Sequence, residues 1–177
     1  FLANLTAFPV THGLMPYIAK NVMSLDENGL GQLLAVFSCG AVLGSLILAV
    51  TQSQKYASKL MLINLVLWYV TLAIFAFTET KIDGLIALFF VGLAHSFAMT
   101  SMSVALLGFT DELVRGRVMG VRVLAVYGVP IGLLASGFLI DYLGYTIFMA
   151  VYIFIGITVT VIISIKWRYS IWYSQKT

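Results

Sequence analysis

The sequence predicts an all-α polytopic membrane protein with six transmembrane helices, organised as a single membrane domain over residues 1–177. Of the 177 residues, 61% are apolar and only 10% are charged, whereas a soluble domain is about half apolar and about a quarter charged. The charged residues also lie between apolar stretches rather than within them. A soluble domain and the cofactor-binding α/β enzyme folds are therefore not expected.

Six stretches contain no Asp, Glu, Lys or Arg, and their lengths are near the roughly 20 residues that a membrane-spanning helix needs. They are residues 1–19, 30–50, 60–77, 85–109, 123–140 and 145–165. A charge at the bilayer centre costs about 2.5 to 3.5 kcal/mol on insertion scales, so charges are expected only outside the spans. Each stretch is predicted to be one span.

The basic residues predict the orientation of these spans. With an even number of spans, both ends of the chain lie on one side, and that side carries Lys55, Lys59, Arg115, Arg117, Arg122, Lys166, Arg168 and Lys176. The other side has only Lys20 and Lys81. Because basic residues in short loops stay cytoplasmic, both ends are predicted to be cytoplasmic. The basic residues form no soluble cluster, so the lipid bilayer is the expected partner and nucleic acid is not.

The first span combines a polar face with two prolines. At helical spacing, an arc of roughly 100° holds Asn4, Phe8, Thr11, His12 and Met15. Pro9 and Pro16 each lack an amide donor and free the carbonyl group four residues earlier. In hydrocarbon such a carbonyl needs another partner or a wet cavity, so this helix is predicted to be bent or locally unwound.

The second and third spans carry packing signals. Gly40 and Gly44 form a small-residue stripe that lets a neighbouring helix approach closely. Ser24 and Glu27 have the spacing of a capping box, which predicts the start of the second helix. In the third span Asn64 shares a face with Trp68 and Thr71, which predicts an interhelical hydrogen bond.

The fourth span has the richest polar face. An arc of roughly 160° holds Gly92, His95, Ser96, Met99, Thr100, Met102 and Ser103, opposite a mostly apolar side. An imidazole within a membrane is costly unless it is hydrogen-bonded or solvated. His95 and His12 are therefore functional candidates, with a neutral, hydrogen-bonded packing role as the alternative.

The fifth span repeats features of the second. Residues 34–37 read Leu-Ala-Val-Phe and residues 124–127 read Leu-Ala-Val-Tyr, with small residues following each. Gly128 and Gly132 form a second small-residue stripe, and Pro130 frees the carbonyl group of Val126. Three spans followed by three related spans would fit the 3+3 inverted repeat of many secondary transporters.

Motifs of enzymes and cofactor sites are missing from the sequence. It has no His-Glu-x-x-His, Gly-x-Ser-x-Gly or phosphate-binding Gly-x-x-x-x-Gly-Lys motif, so no catalytic residue, cofactor or resident metal is predicted. The pairs His95 with Met99 and His12 with Met15 combine imidazole with thioether, which suits copper. A copper-like metal substrate is therefore retained as an alternative.

The fifth helix and the loop before it resemble part of a known family. The loop from Asp111 to Gly120, which contains Arg115-Gly116-Arg117, and the pattern Gly128-x-Pro130-x-Gly132 resemble the region of the tenth and eleventh helices of major facilitator superfamily transporters. The similarity is strongest to bacterial drug and siderophore exporters. Gly40-x-x-x-Gly44-Ser45 is similar to the eighth helix of that branch, so the resemblance covers helices seven to twelve.

The resemblance implies a function and a partner. The chain would be the C-terminal half of a secondary transporter that exports a small organic solute by alternating access, and it would pair with a six-helix N-terminal half in the bacterial cytoplasmic membrane. A start at Phe1 without Met also suggests a fragment. The alternative to transport is a non-transporting membrane module that assembles with other subunits.

The resemblance also implies roles for individual residues. The first and fourth spans would line the central cavity, with His95, Ser96, Met99, Thr100, Ser103, His12, Asn4 and Thr11 as candidate substrate contacts. Asp111, Glu112, Arg115 and Arg117 would belong to a cytoplasmic gate loop. Gly128, Pro130 and Gly132 would bend the eleventh helix and contact a neighbour across the interface between the two halves.

Overall fold

The computed structural model describes residues 1–51, 56–108 and 110–167 of the chain. Within these residues, five helices are long and apolar enough to cross a membrane: Glu27–Thr51, Ala57–Ala76, Lys81–Gly108, Arg115–Leu143 and Tyr145–Lys166. They coincide with the second to the sixth predicted spans. Four residues of the predicted spans and their orientation lie outside the described residues: Lys55, Phe109, Arg168 and Lys176.

Residues 1–23, which we call the first segment, are not one regular helix. The segment consists of α1 (Leu2–Thr6), a π-helical turn at Pro9–Gly13, α2 (Met15–Tyr17) and a second π-helical turn at Ile18–Val22. The Leu14 amide bonds to the Pro9 carbonyl at 2.9 Å, five residues back, and the Met23 amide bonds to the Ile18 carbonyl at 3.0 Å. The helix therefore widens around its prolines rather than simply bending.

The next three helices are continuous: α3 (Glu27–Thr51), α4 (Ala57–Ala76) and α5 (Lys81–Gly108). Asp26 caps α3, because its Oδ1 accepts a hydrogen bond of 2.8 Å from the Gly29 amide. The predicted capping box that begins at Ser24 is therefore wrong. Ser24 has a left-handed φ of 54°, and the side chain of Asp26 caps the helix instead.

The fifth predicted span is divided into α6 (Arg115–Ala125) and α7 (Gly128–Leu143). The break falls at Val126 and Tyr127, four and three residues before Pro130. The carbonyl group of Val126, which Pro130 frees, accepts a hydrogen bond of 2.9 Å from the Val129 amide. A tighter turn thus satisfies the carbonyl at the break. Gly144, with φ of 77°, separates α7 from the last helix, α8 (Tyr145–Lys166).

The helices pack in two groups around one core. α5 packs against both α3 and α4, and the first segment packs against α7 and α8, while α4 joins the groups through its contact with α8. The buried core includes Trp68, Tyr69, Phe75 and Phe148. The first segment and α5 each pack against two helices of their own group, and α8 contacts helices of both groups.

Polar side chains join these helices at buried positions. Asn64 Nδ2 on α4 donates to Ser101 Oγ on α5 at 3.2 Å, which confirms the predicted interhelical hydrogen bond. The hydroxyl groups of Thr6 and Tyr69 share a buried hydrogen bond of 2.7 Å between the first segment and α4. In an apolar environment such bonds replace the water that these groups would otherwise bind.

Candidate functional site

Five rings from four elements meet near the middle of the helices, and we call them the aromatic–imidazole cluster: Phe8 and His12 of the first segment, Phe37 of α3, Trp68 of α4 and His95 of α5. Ring centroids lie 5.9 Å apart for His12 and His95. The first and fourth predicted spans therefore meet through their histidines.

His95 lies at the centre of this cluster. Its ring centroid is 4.8 Å from that of Trp68, 5.3 Å from that of Phe8 and 5.5 Å from that of Phe37. Both ring nitrogens of His95, and Nε1 of Trp68, are buried and have no hydrogen-bond partner among the described residues. A buried polar group without a partner costs about 1 to 3 kcal/mol. His95 is therefore a costly residue in this conformation.

His12 occupies the open side of the cluster. It lies in the π-helical turn at Pro9–Gly13 and is exposed, although its ring packs 5.1 Å from that of Phe8 and 5.8 Å from that of Phe37. Its Nδ1 shares a hydrogen bond of 2.9 Å with the Thr11 hydroxyl, which orients the ring. The other ring nitrogen, Nε2, is left for a further partner.

The remaining candidate cavity residues are placed differently from one another. Thr11 and Ser96 are buried, and the Ser96 side chain faces Gly44 of α3 rather than His12. Met99, Thr100 and Ser103 are half-buried on α5, and the Ser103 hydroxyl donates to the Met99 carbonyl at 2.9 Å.

Asn4 is half-buried beside Gly128 of α7. Of the eight candidates, the two histidines and Thr11 are thus joined by direct contacts, and their role in substrate binding stays a prediction.

Three aromatic members of the cluster, Phe8, Phe37 and Trp68, were missed as site residues, and Phe8 was noted only as part of the arc of the first span. Phe37 was noted only as part of a repeated sequence, and Trp68 only as a packing residue next to Asn64. One signal could have indicated them: each places a large ring near the middle of a span that also carries a polar or small-residue face. Which helix faces contact each other depends on the tertiary packing, and the local sequence of one helix does not show it.

The small-residue stripes lie at two helix crossings. A methyl group on Gly40 would overlap the Phe89 carbonyl oxygen of α5, and one on Gly92 would overlap the Phe37 carbonyl oxygen of α3. On α7, Gly132 lies against the Leu5 carbonyl oxygen of the first segment.

Gly128 also faces the first segment. A methyl carbon added to it would lie 3.2 Å from the Asn4 Cβ. Both glycines thus lie at a helix crossing within this chain, and a contact of α7 with another half stays a prediction. Both residues are buried, and Gly132 lies where α7 passes close to the Leu5 carbonyl group.

The residues of the predicted gate loop lie just before α6 and in its first turn. Asp111, Glu112 and Arg117 are exposed, and Arg115 is half-buried. The Asp111 carboxylate accepts a hydrogen bond of 3.3 Å from the Leu113 amide, and Arg115 Nη2 lies 3.5 Å from the Leu107 carbonyl oxygen. In this conformation Asp111 and Arg115 bond to backbone groups rather than to each other.

The described residues contain no group of three or more His, Cys, Asp or Glu side chains that could hold a metal ion. His12 and His95 alone offer two imidazoles.

Apolar helices of membrane-spanning length, packed around one core, define a polytopic membrane protein. The family model of the Major Facilitator Superfamily matches residues 1–171 of the chain. The chain therefore belongs to the major facilitator superfamily. No curated protein and no solved structure matches it significantly.

Membership of this family sets the general activity. Its members move solutes across membranes and are transporters rather than enzymes. Together with the apolar helices, it makes the chain part of a multi-pass membrane protein in contact with the lipid bilayer.

Proposed function

We propose that the chain is the C-terminal half of a secondary active transporter that exports a small organic solute, such as a drug or a siderophore, from bacteria. The observation that carries this proposal is His95, an imidazole buried among aromatic rings with neither nitrogen hydrogen-bonded within the described residues. A protein that keeps so costly a group is expected to satisfy it in another conformation or with a ligand.

Alternating access gives His95 that second conformation. Under this proposal a preceding six-helix half packs on the side of the first segment and α5, and the two halves rock about a site near the middle of the bilayer. In one state the rings seal His95 from water, and in the other they separate and expose it to substrate or water. The π-helical turns of the first segment are suited to this change, because such turns often occur at functional sites.

The pattern of helix contacts supports the 3+3 repeat and six spans. If the first segment corresponds to α5, α3 to α6 with α7, and α4 to α8, then the contact of α3 with α5 corresponds to that of α7 with the first segment. The contact of α4 with α5 likewise corresponds to that of α8 with the first segment. These two pairs of contacts thus correspond when the two triplets are exchanged, which supports an internal repeat.

The energy for transport would come from a proton or other ion gradient. We expect His95, and His12 beside it, to take part in the coupling, because imidazole can change its protonation state near neutral pH. The charge distribution supports cytoplasmic ends and hence a cytoplasmic position for the loop with Asp111, Glu112, Arg115 and Arg117.

The first test is the intact mass and N-terminal sequence of the natural protein. We expect a mass about twice that of this chain, with about six further apolar stretches of about 20 residues. A natural chain that begins near Phe1 would contradict the pairing of two halves and would favour a module that assembles with other subunits.

The second test is transport by the natural protein in sealed vesicles with an imposed pH gradient. His95→Gln should abolish the dependence of transport on pH, whereas Ser38→Ala, on the exposed side of α3, should leave it intact. A pH profile that is unchanged in His95→Gln would remove His95 from the coupling. Uptake that depends on copper would instead favour the metal alternative.

A further inference from the structure

The polar groups of the aromatic–imidazole cluster are two imidazoles and one indole N–H, and one of the imidazoles lies on its open side. His12 is exposed there and has Nε2 available, with its ring oriented by Thr11. Behind His12, the buried Trp68 contributes an indole N–H, which is a donor only, and a neutral imidazole contributes one donor and one acceptor. The side chains of this cluster therefore offer hydrogen-bond donors and aromatic surfaces, and no negatively charged group.

The carboxylates of the chain all lie far from this cluster along their helices. The sequence has seven of them: Asp26, Glu27, Glu79, Asp83, Asp111, Glu112 and Asp141. Each lies in a connecting loop or in the first or last turn of a helix. The middle of the described helices therefore contains no acid that could pair with a cation.

This arrangement discriminates between charged ligands. A cation moved into an apolar site without a counter-ion pays its full desolvation cost, and contact with ring faces recovers only part of it. An organic anion can accept a hydrogen bond from His12 and becomes an ion pair when the imidazole is protonated. An aromatic ring on the same ligand can pack edge-to-face against Phe8 or Phe37, as these rings already do with the histidines.

We propose that this half selects organic anions that carry an aromatic ring, with His12 as the group that binds the anion. This inference rests on the proposed transport function, because it assigns the substrate class of the same site. His95 and Trp68 form the wall behind His12 and hold Phe8 and Phe37 in place, with ring centroids of Phe8 and Trp68 5.3 Å apart.

Three probes that share one ring test the proposal: 2-naphthoate, 2-naphthylmethanol and 2-naphthylmethylamine. They carry a negative charge, no charge and a positive charge at pH 7, respectively. Affinities for the purified natural protein in detergent are measured by calorimetry. We expect 2-naphthoate to bind about tenfold or more tightly than the amine, which is the effect of one charged hydrogen bond.

The variants separate the anion contact from the ring contact. His12→Gln should weaken 2-naphthoate about tenfold and leave the alcohol nearly unchanged, since the lost interaction involves the charge. Phe37→Leu should weaken all three probes alike, and Ser38→Ala should weaken none. Because His12 is exposed, we expect His12→Gln to fold, and His12→Asn provides a second variant.

Three results would overturn the assignment: an amine that binds as tightly as the carboxylate, a His12→Gln variant that weakens all probes equally, or no binding of any probe. Counterflow in vesicles separates this inference from the transport proposal. Transport of the amine but not of 2-naphthoate would refute anion selection and leave transport standing. Binding of 2-naphthoate without transport of any probe would refute the transport proposal and leave anion binding standing.

Discussion

Gly40 provides the sharpest test of how α3 and α5 pack. A methyl group at this position would overlap the Phe89 carbonyl oxygen and would lie 3.0 Å from the Phe89 carbonyl carbon and 3.1 Å from the Leu93 nitrogen. All three atoms belong to the backbone of α5, so no side chain can rotate away. Gly40→Ala must therefore push the helices apart.

The expected magnitude follows from this geometry. Overpacking by one methyl group costs about 1 to 3 kcal/mol where the neighbours cannot move freely. Gly31 is the matched control, because it lies on the same helix and a methyl group there would meet nothing within 4 Å. Gly31→Ala should leave stability unchanged or raise it by up to about 1 kcal/mol, the difference in helix propensity.

The assay is reversible unfolding of the natural protein in mixed micelles, followed by circular dichroism as the denaturing detergent increases. Gly40→Ala should shift the midpoint to less denaturant and Gly31→Ala should not. Equal midpoints for the two variants would refute the close approach of α3 to α5. A lower midpoint for Gly31→Ala alone would refute the assignment of which face of α3 is buried.

Two further predictions use the same assay. Gly132→Ala should lower the free energy of unfolding by about 1 to 3 kcal/mol, because its methyl group would overlap the Leu5 carbonyl oxygen. Gly137→Ala, which meets nothing within 4 Å on the same helix, should be neutral, and the reverse order would contradict the contact. In a double-mutant cycle, Asn64→Ala and Ser101→Ala should show a coupling of about 0.6 kcal/mol, the average for membrane hydrogen bonds. Additive effects would mean that the bond is not formed.

The positions of the long helices were predictable because each is a local property. A charge is excluded from hydrocarbon wherever it occurs along the chain, so the charge-free stretches coincide with α3, α4, α5, α7 and α8. The disruption of the first segment was also predictable from Pro9 and Pro16. Its form was not: whether a freed carbonyl leads to a kink or to π-helical turns depends on the helices packed around it.

The candidate site was predictable only in part. His12 and His95 were found because any imidazole in a membrane is costly, whatever surrounds it. Ser96 shares the polar arc of His95, yet it faces Gly44 of α3, because an arc of roughly 160° is wide enough to contact two different neighbours. Helical spacing gives the direction of a side chain on its own helix, not the identity of the neighbour.

The sequence by itself determined the membrane class, the approximate spans and the two histidines, since each follows from the transfer cost of single groups or from spacing along one helix. Only the tertiary structure decided that Phe37 and Trp68 enclose His95, that Gly128 and Gly132 face the first segment, and that Asp26 caps α3. These contacts depend on how helices cross and where each turn ends. Backbone atoms from distant parts of the chain set that geometry, and no local pattern contains it.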